Sequence, residues 1–392
     1  MNDIPESDRL PEAPHPRETV ALFGQEAAEA AFLEAFSTGR LHHGWLITGP
    51  RGVGKATLAW RMARFLLANP PAAAEGGLFG DTDPAPAPKD LDIGPDHPVA
   101  RRIAARSEPG LFHLKRGIND KTGRLRNEIV VDEVRRLKEF FALSSTDGGR
   151  RVVIVDSADE LNTSAANALL KLLEEPPANA TLLLVSHQPS GLLPTIRSRC
   201  RVLRCAPLAP PVLAQAMDQA GIVPSGPKGA SDEEVARGLA QLAGGSVGDA
   251  IGLISLDGLK TYGELVALMG GLPRLDRGRA LKLAERAAAR GAEDHLALLI
   301  RLIDLFLTRL ARSGATGAPP PEAVPGEAAL LMRLCPSARA ARGWAELSQE
   351  LSARASHARA VNLDPAALIL DMVFRIDRRA ADLVAPAGAG AP

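Results

Sequence analysis

Two short runs, Val152-Val153-Ile154-Val155 and Leu182-Leu183-Leu184-Val185, are apolar at every position. A strand with one solvated face alternates polar and apolar residues, whereas a run without alternation is buried on both faces, as strands of parallel sheets are. Helical patterns separate these runs from one another and from two further strand-like stretches, Trp45-Leu46-Ile47 and Phe112-His113-Leu114. The economical fold is therefore α/β, a parallel sheet covered by helices on both sides with right-handed crossovers. Apolar residues make up 46 % of the chain and aromatics only 4 %, which favours a helix-rich interior of Ala, Leu and Val and disfavours an all-β fold.

At 392 residues the chain exceeds what one hydrophobic core usually supports, so two or three domains are expected. Residues 1–19 are polar and carry four prolines, which reads as a disordered lead. The α/β domain then spans residues 20–207: a helix from Glu26 to Phe36 stopped by Gly39, the strands above, a helix from Asp132 to Leu143, and an end near Cys205-Ala206-Pro207. Within it, residues 69–98 are rich in Pro, Gly and Asp without an apolar period, the pattern of a surface insertion. Short helical patterns at 212–220, 232–243 and 247–253 predict a small helical domain over 208–262. Residues 263–384 read as a helix bundle with one long loop from Gly314 to Pro325, and residues 385–392 as a disordered tail of Ala, Gly and Pro.

Lys plus Arg and Asp plus Glu number 46 each, so no global basic field holds nucleic acid, and any DNA contact is local or shared with partners. Three cysteines, Cys200, Cys205 and Cys335, make neither a disulfide framework nor a four-cysteine zinc site. The start, Met1-Asn2-Asp3-Ile4-Pro5-Glu6-Ser7-Asp8, lacks the basic-then-apolar pattern of a signal peptide. Leu296 to Leu310 is interrupted by Arg301, Asp304 and Arg309, which makes it a core helix rather than a free membrane span. A cytoplasmic protein without membrane or zinc is the expectation.

Gly49-Pro50-Arg51-Gly52-Val53-Gly54-Lys55 lies between a predicted strand and a helix, the context of a phosphate-binding P-loop. The glycines let backbone N–H groups converge on phosphate oxygens, the helix N-terminus adds positive potential, and Lys55 reaches the outer phosphates. The next position is Ala56, where a working ATPase places the Ser or Thr that holds Mg²⁺. Thr57 is rotated by about 100° on the helix and does not replace it as a metal ligand, although it lies near enough for a phosphate. Asp156 ends an apolar strand, the place of the Mg²⁺-associated acid. Asp159 and Glu160 follow three and four residues on, aimed elsewhere unless the backbone turns. Binding of ATP without hydrolysis is the most that these positions support, and no metal ligand set is expected.

The helix beginning at Asn162 and stopped by Pro176-Pro177 carries Glu174-Glu175 in its last turn. Negative charge there opposes the helix dipole by about 0.3–1 kcal/mol per residue, so a basic partner surface is the expected reason for it. Cys200, before a further strand, reads as a small buried residue rather than a nucleophile.

These segments together resemble the AAA+ clamp-loader family over about residues 20–256. The resemblance is carried by Ala168-Leu169-Leu170-Lys171-Leu172-Leu173-Glu174-Glu175-Pro176-Pro177, by Ser198-Arg199-Cys200, and by Val131-Asp132-Glu133-Val134-Arg135. It implies an AAA+ P-loop domain, a helical lid domain and a C-terminal helix-bundle collar. It also implies that Arg199 projects as an arginine finger into a neighbouring subunit's ATP site. Where hydrolysing members of the family have a hydroxyl after the P-loop Lys, a Glu after the strand Asp, and an Arg in the segment Gly245-Ser246-Val247-Gly248-Asp249-Ala250, this chain has Ala56, Ser157 and Gly248. The resemblance therefore implies a stator subunit of the DNA polymerase III clamp loader. Its partners would be the gamma/tau and delta subunits and, through the assembly, the sliding clamp and primed DNA; the alternative is an ATP-hydrolysing gamma/tau-type motor.

Overall fold

The computed structural model describes residues 6–7, 9, 13–71, 88–119, 121–142, 149–224, 226–227, 229–361 and 363–384. They fall into two compact units, residues 1–222 with 245–248, and residues 223–244 with 249–392.

In the first unit the chain runs α1 (Glu26–Ser37), β1 (Gly44–Thr48), α2 (Lys55–Ala68), α3 (Pro98–Ala104), β2 (Leu111–Leu114), α4 (Val131–Ala142) and β3 (Arg151–Val155). It continues with α5 (Thr163–Glu174), β4 (Ala180–Ser186), α6 (Pro194–Arg197), β5 (Arg201–Arg204) and α7 (Pro210–Gln219). The five strands form one sheet in the order β2-β3-β4-β1-β5, parallel at every pairing. The apolar runs bury both faces, as their lack of alternation requires. Trp45, Ile47, Val152, Ile154, Leu183 and Val185 pack on one side with Phe32, Met62 and Phe65 from α1 and α2. Leu46, Val153, Val155, Leu182 and Leu184 pack on the other with Leu137, Leu169 and Leu173 from α4 and α5. Each such side chain contributes about 1.5–3 kcal/mol by leaving water, so these two layers set strand order and register together.

Two expectations for this unit change. Residues 13–19, read as part of a disordered lead, are packed: His15 is fully buried and meets the Trp60 ring edge-on at 5.9 Å. The α2 guanidinium of Arg64 donates to the backbone oxygens of Arg17 and Thr19, both at 2.8 Å. Proline-rich backbone leaves carbonyls unpaired, and buried arginines supply the donors that they need. The stretch read as an insertion over 69–98 lies partly outside the described residues, at 72–87. Its end nevertheless enters the fold, with Leu91 in the core at 1 % exposure and the His97 ring capping α3 through the Val99 N–H at 3.2 Å.

The second unit holds α8 (Asp232–Ala243), most of α9 (Val247–Ser255), α10 (Gly258–Met269), α11 (Arg277–Ala287) and α12 (Glu293–Thr316). After these come α13 (Glu327–Leu334), α14 (Ala338–Ala360) and α15 (Pro365–Val384). A capping box between Ser231 and Glu234 starts α8. Gly314, the expected start of the long loop, is still within α12, and the glycine allows close packing there, since a Cβ would stand 2.3 Å from the Cys335 sulfur. The loop after α12 is anchored by Glu327, which is wholly buried. Its carboxylate accepts from Tyr262 Oη at 2.6 Å, from Arg309 Nε at 2.6 Å and from the Ala323 N–H at 2.7 Å. No described helix is long and apolar enough to cross a membrane; the charges within Leu296–Leu310 are partnered, Arg301 by Asp249 at 2.7 Å and Asp304 by Ser348 at 2.7 Å.

Candidate functional site

In a parallel sheet every strand points the same way, so the segments following β1, β3, β4 and β5 gather at one edge, where open α/β sheets bind ligands. The glycine-rich loop leaves β1 there and enters α2. Gly52 and Gly54 hold φ of 75° and 97°, a left-handed backbone that side chains disfavour. The loop is packed on several sides: a Cβ on Gly49 would stand 2.3 Å from the Cys205 carbonyl oxygen, and one on Gly52 would stand 2.2 Å from Ser246 Oγ. Gln25, which belongs to no recognisable motif, ties the loop to the segment after β5. Its amide donates to the Val53 and Ala206 carbonyls at 3.0 and 2.8 Å and accepts from the Ala206 N–H at 3.0 Å.

Lys55 opens α2 and is buried at 3 % exposure. Its ammonium folds back onto the Pro50 carbonyl of its own loop at 2.5 Å. Burial lowers its pKa from the ordinary lysine value against the pull of Asp156 and Asp159. Pro50, Arg51 and Val53 complete the loop, and Gly248 lies over it, its N–H donating to the Gly52 carbonyl at 3.2 Å. Ala56 and Thr57 follow in the first turn of α2, and no hydroxyl stands at position 56.

Asp156 follows β3, with its N–H on the Leu114 carbonyl at 2.9 Å. The two nearby carboxylates have structural work. Asp159 accepts from Ser186 Oγ at 2.7 Å, the His187 N–H at 2.6 Å and the Gln188 N–H at 3.3 Å, which fixes the turn after β4. Glu160 pairs with Arg116 at 2.8 Å, and burial raises its pKa while Arg116 opposes the rise. Ser157 Oγ meets His187 Nε2 at 3.3 Å, and burial, with Lys55 adding to it, lowers the histidine's pKa. Both Asp159 and Glu160, the carboxylates that follow Asp156 most closely among the described residues, are thus engaged away from a water-activating role. With no hydroxyl at 56, the residues present do not fit a catalytic Mg²⁺. Among the described residues no three His, Cys, Asp or Glu side chains form a metal-holding group.

Arg199 follows α6 at the other end of the same core layer. Its guanidinium donates to the Thr195 carbonyl at 3.1 Å and pairs with Glu174 at 2.9 Å, the two side chains being 37 % and 43 % exposed. The Glu174 charge at the end of α5, expected to face a partner, thus meets an arginine of its own chain. Cys200 is half-buried and its thiol is pushed up to about 12 by burial, which rules it out as a nucleophile near neutral pH.

A glycine-rich loop and an acidic residue at the carboxyl edge of a five-stranded parallel sheet define a P-loop-type α/β protein. The family model described as "DNA polymerase III, delta subunit" matches residues 24–209, somewhat less than half of the 392 residues. The DNA polymerase III subunit delta' of Pseudomonas aeruginosa is 39 % identical over 204 residues, covering 52 % of this chain and 53 % of that one. The subunit delta' of Escherichia coli is 33 % identical over 175 residues, 44 % of this chain and 45 % of its own. The subunit gamma/tau of Mycobacterium bovis is 29 % identical over 268 residues, 65 % of this chain and 40 % of its own. The matched stretch thus spans about half the length of the delta' relatives.

Proposed function

We propose that this chain is a delta-prime-type stator of the DNA polymerase III clamp loader, built as an AAA+ module with a helical lid and a helix-bundle collar. In this reading it assembles with gamma/tau and delta subunits and, through them, helps load the sliding clamp onto primed DNA in the cytoplasm. The observation that carries it is the contrast between two sites on one domain. The P-loop edge has lost its metal hydroxyl, and both carboxylates that stand near Asp156 are committed to other partners. Arg199, in contrast, sits at the surface with a single exposed carboxylate to release. A guanidinium offsets charge on a leaving γ-phosphoryl group, so this chain donates a catalytic group to a neighbour's nucleotide and hydrolyses none itself.

Two assays test the reading. The isolated chain should show no ATP turnover above a Lys55→Ala control, and it should co-purify with gamma/tau and delta. Turnover near one per second, abolished by Lys55→Ala, would make the chain a gamma/tau-type motor instead.

A further inference from the structure

The helix that carries Glu174 ends on a defect written in its sequence. In an α-helix the carbonyl of residue i accepts from the N–H of residue i+4, or of i+3 where the last turn tightens. For Leu173 these positions are Pro177 and Pro176, and proline has no N–H to give. The Leu173 carbonyl therefore needs a donor from outside α5, or the last turn frays. The His43 ring supplies it, with Nε2–H donating to the Leu173 oxygen at 3.0 Å.

His43 is itself firmly placed. Its carbonyl accepts from the Leu182 N–H of β4 at 2.7 Å, and its ring stacks on that of His42 with 4.3 Å between centroids. The His42 Nδ1 in turn accepts from the Gly44 N–H at 3.0 Å, so both imidazoles are fixed to the start of β1. Burial, and His42 beside it, lower the pKa of His43 against the pull of the Leu173 carbonyl, which keeps the ring neutral near pH 7 with its one proton on the donating Nε2. The same turn meets the arginine segment. A Cβ on Gly44 would stand 2.9 Å from Leu173 Cδ2 and 3.2 Å from the Arg199 carbonyl oxygen, so the end of α5 and the backbone of Arg199 both close on the start of β1. One residue past Leu173, Glu174 holds the Arg199 guanidinium at 2.9 Å.

We propose that His43 is a positioning residue for Arg199: its bond to the Leu173 carbonyl orders the last turn of α5 and so keeps Glu174 where it restrains the guanidinium, a control that rests on the trans role of Arg199 proposed above. His43 touches no nucleotide in this scheme. It sets how much of the time the arginine is parked, and losing its donor should mimic losing the Glu174 charge.

Two readouts on the full chain test this, with His43→Phe keeping the ring and its stack but offering no N–H, and His43→Gln restoring an N–H donor. In the isolated protein, amide exchange at residues 172–175 should quicken about 2- to 13-fold in His43→Phe, the worth of one net hydrogen bond, and should match the wild type in His43→Gln. Unaltered exchange in β3 and β4 marks a folded variant. In a reconstituted complex with only the site facing Arg199 active, His43→Phe should raise single-turnover hydrolysis at low salt by up to about fivefold. It should leave the ATP affinity of that site unchanged and add nothing in a Glu174→Gln background, while His43→Gln should turn over as the wild type does. Unchanged exchange in His43→Phe would overturn the proposal. So would faster exchange without a rise in rate, or rate gains of His43→Phe and Glu174→Gln that multiply. Arg199→Ala measured beside them tells the failures apart: if it slows the site while His43→Phe does nothing, His43 alone has been misread, and if it leaves the rate unchanged, the trans finger and the role of His43 fall together.

Discussion

Glu174→Gln probes how Arg199 is held. The pair is 2.9 Å long, with side chains 37 % and 43 % exposed, and exposed ion pairs contribute about 0.2–1 kcal/mol. That corresponds to roughly a 1.4- to 5-fold preference for the paired arginine. A trans arginine finger, by contrast, is worth about 10³–10⁵ in rate, so in the proposed role of Arg199 the Glu174 pair would tune its availability without blocking it. In a reconstituted complex with one active site, the one facing Arg199, Glu174→Gln should raise single-turnover hydrolysis by up to about fivefold at low salt. The gain should shrink above about 0.5 M salt, where screening has already loosened the wild-type pair. A tenfold fall in rate would refute the reasoning, because it would mean that Glu174 aims Arg199 at the phosphate rather than parking it.

Glu327→Ala should destabilise the second unit by about 3–5 kcal/mol, since it strands the Arg309 charge in the interior; denaturant unfolding followed at Trp344, which is wholly buried in that unit, measures the loss. Gly52→Ala should distort the loop, because its φ of 75° and the Ser246 contact at 2.2 Å leave no room for a Cβ; a lowered melting temperature is the readout. Burial would raise the pKa of Asp371, but hydrogen bonds from Arg375 and Arg354 hold it below its ordinary 3.8. Its depressed pKa means that the contribution to stability is complete above that ordinary value and is lost as pH falls through the folded one. The stability difference between wild type and Asp371→Asn should therefore be constant near neutrality and disappear as pH falls through the depressed folded-state value.

The sheet was legible because burial on both faces leaves an unmistakable run of apolar residues, and the P-loop because its glycines serve a backbone shape. The sequence also exposed the missing hydroxyl at 56. It did not expose the fates of Glu174, Asp159 and Glu160, since each is decided by a partner from another segment: Arg199, the turn after β4, and Arg116. Buried charge was illegible for the same reason. Arg64 and Arg309 look like surface residues in a helical pattern, yet one holds the lead and the other neutralises Glu327. The packing of residues 13–19 was hidden by their proline content, which predicts an irregular backbone and says nothing of whether buried donors await its carbonyls.

The most direct test of the central claim is Arg199→Ala in the assembled clamp loader, followed by clamp loading on primed DNA and by hydrolysis resolved at the adjacent site. The substitution removes an exposed ion pair and one exposed hydrogen bond to the Thr195 carbonyl, so the mutant should fold and assemble as the wild type does. Loading should fall and the adjacent site should slow by at least about 10³. Arg197→Ala and Arg201→Ala should have little effect, the Arg201 guanidinium being stacked over Trp45 at 5.3 Å. An assembled Arg199→Ala complex that loads clamps at the wild-type rate would contradict the account and leave Arg199 a surface charge.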